Sequence, residues 1–318
     1  MSTPRFQNPL VILNPRAASG RAQDLWKSVH ATVERTLGPA DVRLTEAPNH
    51  ATELTKEALH AGADLVIAVG GDGTFNEVVN GYLSGGLPLN PDASLAFCPA
   101  GTCSDFGRSA GIPRSPRDAV QAIANTPVRR FDACAIQVTS RNGTTNTRYF
   151  ANVTSFGVGG EVSVAAKRNV LTSVNGRAAF LWATAKTLLR YRAKDICLTF
   201  DDEEPGHSLR LMQVALGNGA YHGGGMNVCP LASLDSGFMD VTVIRETGFL
   251  DFLRSIRLLY SGNILSHANC SHYRAGSVSA TSSDHVLVES DGETVGRLPC
   301  TAWVLPGVLS IAGTRIRS

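Results

Sequence analysis

Short apolar runs and helical patterns alternate through the first part of the chain. Leu10–Leu13, Val42–Thr45, Asp64–Val69 and Leu95–Cys98 read as strands, and Ala22–Leu37, Ala51–Ala61, Phe75–Leu83 and Pro116–Asn125 carry helix-compatible spacing. Leu10–Leu13 and the stretch behind Asp64 are apolar at every position, which fits strands buried under helices on both faces of a parallel sheet. This βαβ alternation predicts an open α/β sheet with ligands at the carboxyl ends of its strands.

After about Phe131 the period changes. Ala133–Val138, Arg148–Asn152, Ile196–Phe200, Leu209–Leu216, Met239–Ile244, Tyr273–Ala280, His285–Glu289 and Ala302–Ile311 read as short strands punctuated by Gly, Ser and Asn. That predicts a mainly antiparallel β-sandwich, interrupted by helices at about Gly176–Arg192 and Phe249–Ser261. The chain therefore divides into an α/β domain, residues 1–131, and a β-rich domain, residues 132–318, with the final residues packing back on the first. Asp201–Pro205 is an acidic cluster read as a solvated hairpin tip.

Composition mainly excludes. With 318 residues, 43% of them hydrophobic, the chain is neither disordered nor fibrous. Lys plus Arg number 29 against 27 Asp plus Glu, a balance that gives no support to a nucleic-acid binder. The seven cysteines are scattered and never spaced as CxxC, so they read as buried free thiols of a cytoplasmic protein. The first residues hold only a four-residue apolar run, too short for a signal peptide, and no window approaches the ~20 apolar residues of a membrane span.

The candidate chemistry concentrates in VGGDGTFNEVVNG, Val69 to Gly81, where a buried strand gives way to a helix. Gly70, Gly71 and Gly73 are expected to turn the chain with positive φ and to bring backbone N–H groups close to an anion. The helix N-terminus behind Thr74 favours phosphate. Asp72 would repel that phosphate unless a cation lay between them, so it is read as addressing Mg²⁺ or its water shell. The loop lacks the lysine of a Walker A motif. Arg16 or Arg21 in NPRAASGR, Asn14 to Arg21, can supply positive charge, and PAGTCSDFGRS, Pro99 to Ser109, forms a third loop at a strand end. In the second domain, Asp291-Gly292-Glu293 offers two carboxylates on a tight turn.

Together these segments resemble the diacylglycerol kinase catalytic-domain family, soluble bacterial lipid kinases related to sphingosine and ceramide kinases. GGDGTFNEVVNG is similar to that family's central signature, NPRAASG to its N-terminal NPxSG loop, and PAGTCSDFGR to its PxGTxNDFAR element. FANVTSFGVGGEV (Phe150 to Val162), GNGAYHGGGMNVCPLASLDSGFMDV (Gly217 to Val241) and ESDGETVGRLP (Glu289 to Pro299) resemble its second domain. The resemblance implies ATP- and Mg²⁺-dependent phosphorylation of a lipid hydroxyl, of diacylglycerol or a related lipid alcohol. ATP would meet Asn14, Pro15, Ser19, Gly20, Thr45, Gly71, Asp72, Gly73, Thr74, Asn76, Glu77 and Thr102. Asp72 would serve Mg²⁺, and Asp291 or Glu293, with Asp72 as a third candidate, would take the acceptor's proton.

The chain departs from the family at two places. Ser104 stands where the family has asparagine, and Ser236 where it has an aspartate that helps bind a structural Mg²⁺. Asp235, one place earlier, is the nearest carboxylate, but neighbouring side chains in a strand point to opposite sides. Two basic amphipathic segments, Arg177–Lys194 and Phe249–Ser261, can either rest on a membrane surface or pack on the second domain. A homodimer is compatible with the pattern. An NAD kinase, which shares the GGDGT turn, and a catalytically silent nucleotide-binding regulator are the alternative readings. His222, His267 and His272 are too dispersed to argue for a metal and read as polar or structural.

Overall fold

The computed structural model describes residues 5–20, 22–101, 103–140, 143–170, 186–187 and 190–315. The first domain holds β1 (Pro9–Leu13), α1 (Ala22–Leu37), β2 (Asp41–Leu44), α2 (His50–His60), β3 (Leu65–Gly70), α3 (Asp72–Tyr82), β4 (Ser94–Pro99), α4 (Asp105–Ser109) and α5 (Pro116–Asn125). The four strands are parallel, in the order β4-β3-β1-β2. Alternation along them feeds two separate cores. Leu10, Ile12, Val66 and Ala68 pack under α2 and α3, while Val11, Leu13, Leu65, Ile67 and Val69 pack under α1 and α5. This two-sided burial is why these strands read as unbroken apolar runs.

The second domain holds β5 (Arg129–Thr139), β6 (Thr145–Phe150), β7 (Val153–Gly157), α6 (Val158–Val170), β8 (Lys194–Phe200), β9 (His207–Gly217), β10 (Met239–Arg245), α7 (Phe249–Ser261), β11 (Cys270–Ala275), β12 (Ser277–Thr281), β13 (Leu287–Ser290) and β14 (Glu293–Ala312). Neighbouring strands here are antiparallel, and their inner faces share one core around Ile136, Phe156, Val214, Val241 and Val288.

β14 joins the two domains. It starts beside β13, runs along β5, and ends parallel to β4, with Ile311 opposite Leu95 and Ala312 opposite Ala96. Among the described residues, fourteen strands thereby form one hydrogen-bonded sheet.

Two readings change. The run Tyr273–Ala280 is two strands, because the chain breaks at Gly276: β11 pairs with β10, and β12 with β8 and β14. Asp201 of the acidic cluster caps that break, its Oδ1 accepting from Gly276 N and Ser277 N at 2.8 Å each. Helix α6 was not predicted, since its glycine-containing start carries no helical signal. Helix α7 is where expected, and Leu259, Ile256 and Leu258 pack it onto the second domain, with Arg254 and Arg257 exposed. Most of Arg177–Lys194 lies outside the described residues. Among those described, no helix is long and apolar enough to cross a membrane.

Candidate active site

The four parallel strands end side by side, and a cleft of about 360 Å³ opens at those ends. Thr45 lines it after β2, Asn14, Arg16 and Ala17 after β1, Gly71, Gly73, Thr74 and Glu77 after β3, and Gly101 after β4. Glu46, Ala47 and Pro48 extend the wall, and Glu293, the first residue of β14, reaches it from the second domain. Pro15 and Gly20 lie in the β1 loop but do not line the cleft. The Ser19 side chain, Arg21 and Thr102 lie outside the described residues.

The glycine turn is shorter than the sequence implied. β3 ends at Gly70 and α3 starts at Asp72, leaving only Gly71 between them, extended at φ −98° and ψ −176°. None of Gly70, Gly71 and Gly73 has a positive φ, so the expected left-handed turn is absent. The glycines supply space instead. A Cβ on Gly70 would lie 2.5 Å from Thr74 Oγ1, and one on Gly101 would lie 2.7 Å from Gly71 Cα. The β3 and β4 loops thus touch main chain to main chain, which leaves the α3 N-terminus open to an anion. Asn14 fixes the third loop by donating from Nδ2 to Thr74 Oγ1 at 3.0 Å. Below the turn, Phe75 stacks on Phe106 with centroids 4.3 Å apart, and Phe97 packs against both.

Helical spacing sorts the residues of α3. Gly73, Thr74 and Glu77 face the cleft, whereas Asn76 and Asn80, one turn apart, face the second domain. Asn76 Nδ2 donates to Asp291 Oδ2 at 2.8 Å and to Tyr149 O at 3.2 Å, and Asn80 Nδ2 donates to Tyr149 O at 2.8 Å. Asn76, expected among the nucleotide contacts, is a tie between domains.

Asp72 does not line the cleft either. Its Oδ1 accepts from Phe106 N at 3.0 Å, at the start of α4. Burial, reinforced by Asp105, raises its pKa above the ordinary aspartate value. Asp105 is itself 5% exposed; its Oδ2 accepts from Gly224 N at 2.7 Å, and its Oδ1 is buried without a partner. Two neighbouring carboxylates and an orphaned oxygen fit a cation between them. Among the described residues no three His, Cys, Asp or Glu side chains gather into a metal cage, so a cation here would rely on water and a bound phosphate.

Asp235 does not fit that role. Its carboxylate pairs with Arg129 Nη2 at 3.0 Å and accepts from Ser233 Oγ at 2.7 Å. Ser236, next to it, donates to Phe238 O at 3.0 Å. A guanidinium already neutralises this loop.

The Asp291-Gly292 turn joins β13 to β14 with φ values of 46° and 90°, both left-handed, as in a tight type I′ hairpin. Asp291 points inward. Val153 N donates to its Oδ1 at 2.9 Å, and Asn76 Nδ2 and Ala151 N donate to its Oδ2 at 2.8 and 3.2 Å. Burial outweighs these donors and lifts its pKa to about 6. Glu293, on the other side of the turn, points into the cleft.

Sequence reading took His222 as polar or structural and did not single out Glu289. Glu289 is 1% exposed, and its Oε2 lies 3.2 Å from His222 Nε2. Burial disfavours the imidazolium, but Glu289, with Asp105 and Asp291 behind it, lifts His222 to about 9. Burial likewise pushes Glu289 up, yet the facing imidazolium holds it below the usual range. The motifs GNGAYHGGG and ESDGE contained both residues, but pairing across 67 positions leaves no local signal.

Comparison with known proteins places this arrangement. Residues 8–136 match the family model for the diacylglycerol kinase catalytic domain, and residues 152–313 that for the YegS C-terminal NAD kinase beta sandwich-like domain. A protein of Chromohalobacter salexigens named "Probable lipid kinase YegS-like" is 30% identical over 274 residues, covering 85% of this chain and 83% of its own. A Bacillus subtilis protein named diacylglycerol kinase is 29% identical over 297 residues, 91% of this chain and 90% of its own. A crystal structure of a diacylglycerol kinase from Bacillus anthracis superposes with a TM-score of 0.72 at 22% identity, over 98% of each chain. Yeast NADH kinase shares the fold, with a TM-score of 0.50 at 11% identity, over 99% of this chain and 89% of its own.

Proposed function

The chain belongs to the diacylglycerol kinase family of lipid kinases, and from that premise we propose that it transfers the γ-phosphoryl group of ATP to the hydroxyl of a lipid alcohol. One observation carries the reading: Glu293 of the second domain lines the same cleft as the strand-end loops that suit a polyphosphate. The amide-rich turn at Gly71 and the α3 N-terminus would hold phosphate, with Arg16 adding charge, while Thr45, Glu46 and Pro48 border the nucleoside end. The acceptor oxygen would give its proton to Glu293 as its bond to phosphorus forms; the bond from phosphorus to the β–γ bridging oxygen breaks, and ADP leaves. Asp291 supports this assignment from behind, since both its oxygens are engaged by Asn76 and main-chain amides. Asp72 and Asp105 are the residues that would hold Mg²⁺, which when bound neutralises phosphate charge. A diacylglycerol-like acceptor resident in a membrane surface fits the family.

The test is incubation with labelled ATP, Mg²⁺, mixed micelles containing a panel of lipid alcohols, and NAD. Label is expected in one lipid class, and Glu293→Gln should lower that turnover by about 10²- to 10⁴-fold while nucleotide still binds. Label in NAD alone, in no acceptor at all, or undiminished in Glu293→Gln would overturn the proposal.

A further inference from the structure

Glu289 is a buried carboxylate two residues before Asp291 and four before Glu293. Its Oε1 accepts the amide of Gly292, the residue between them. Its Oε2 accepts from Ser155 Oγ at 2.9 Å and faces His222 Nε2 at 3.2 Å. Gly292 has a φ of 90°, and the turn it forms sets the direction in which Glu293 leaves the hairpin. The turn is therefore held from inside by Asp291 and from beneath by Glu289.

His222 comes from a different element, the small hairpin pairing Tyr221–His222 with Met226–Asn227. Its tip is Gly223-Gly224-Gly225, with φ values of 64°, 84° and 105°. The tip reaches the first domain, because Gly224 N donates to Asp105, the residue that opens α4 next to Asp72. The same hairpin is fastened on its other flank. Arg108 lies over the Tyr221 ring with 5.1 Å to its centroid, and Asn152 Nδ2 donates to Tyr221 O at 2.7 Å. His222 is thus carried by an element anchored at Asp105 and ends on the carboxylate that holds the Gly292 amide.

A carboxylate this deeply buried stays ionised only with a countercharge, and an ionised acceptor holds an amide more strongly than a neutral one. Resting on the kinase reading above, we infer that the His222–Glu289 ion pair is a positioning device: it fixes the Gly292 amide and with it the approach of Glu293 to the cleft, and it couples that approach to the loop anchored at Asp105. Neither residue lines the cleft. Losing the pair displaces Glu293 without changing the nucleotide loops, and a small misplacement of a reacting group can cost about 10²-fold in rate.

The experiment compares wild type with His222→Gln and Glu289→Gln, in the full chain, by three readouts. Lipid phosphorylation should show kcat lowered about 10- to 100-fold with KM for ATP within about twofold. The amide resonance of Gly292 should move, and its hydrogen exchange should speed up, in both variants. The double variant should be no slower than the worse single one, since the two residues act as one unit. Thermal unfolding shows whether each variant is folded, and Glu289→Gln, which conserves shape, serves if His222→Gln is not. An unchanged Gly292 amide, or a rate loss matched by an equal loss of ATP affinity, would overturn the inference. If wild type phosphorylates no lipid, the kinase reading fails, whereas the Gly292 amide still decides whether the pair holds the turn.

Discussion

Individual side chains at this site are governed by burial and by what faces them, and two of them, Asp291 and His222, have raised pKa values for different reasons. Asp291 is raised to about 6 by burial, so the folded chain binds a proton there before the unfolded chain does. Falling pH between about 6 and the ordinary value of 3.8 therefore favours folding at this residue, yet it costs the turn an acceptor for Asn76, Ala151 and Val153. Activity should drop as pH passes below about 6 while thermal stability does not, and Asp291→Asn should remove that divergence. His222, raised to about 9 from 6.5, contributes stability that is complete below 6.5 and is lost as pH rises through 9. The unfolding midpoint of wild type should decline across that alkaline window and that of His222→Gln should stay flat. Sequence alone put both carboxylates of the Asp291-Gly292-Glu293 turn in play but could not choose between them. The choice depends on which flank of a left-handed turn faces the cleft, a property of β13 and β14 pairing rather than of residue type. His222 was passed over for the same reason, its partner being distant in the chain.

At the level of elements, the reading of strands and helices in the first domain was nearly complete, because each carries its own period and its own punctuation. Helices α1, α5 and α7 match their predicted limits. What was not legible is how elements press on one another. The glycines of the central motif serve the contact between two loops, and Gly81 serves another: a Cβ there would lie 2.5 Å from Thr52 O, so α2 and α3 cross closely. Gly101→Ala should force the β4 loop away from Gly71 and weaken ATP binding, measured by calorimetry, by about 10-fold or more, with the melting temperature little changed because the site lies outside the aromatic core. Unaltered ATP affinity in that variant would refute the steric role. Asn76 shows the converse case: the motif is local, yet only the turn of α3 shows that this residue faces the other domain.

In the molecule as a whole, one sheet passes through both domains, and β14 is the strand that carries it across. Ile311, fully buried, belongs to the first domain's core together with Leu309, and Ala312 to its other core, although β14 begins in the second domain. Ile311→Ala should cost about 2–5 kcal/mol, and the loss should appear in a single unfolding transition rather than in the melting of one domain alone. Two separated calorimetric peaks, only one of them shifted, would show the domains to be independent. The sequence placed the boundary near Phe131 by its change of period, but a boundary in period is not a boundary in cooperativity.

The order of synthesis gives this strand a further consequence. β4 is made with β3 on one side and nothing yet on the other, because the segment that pairs with its open side, Ile311 and Ala312, comes much later in the chain. The nucleotide half must wait as an incomplete sheet with an unprotected border while some two hundred residues are translated, a stage at which chaperone dependence and off-pathway association would concentrate.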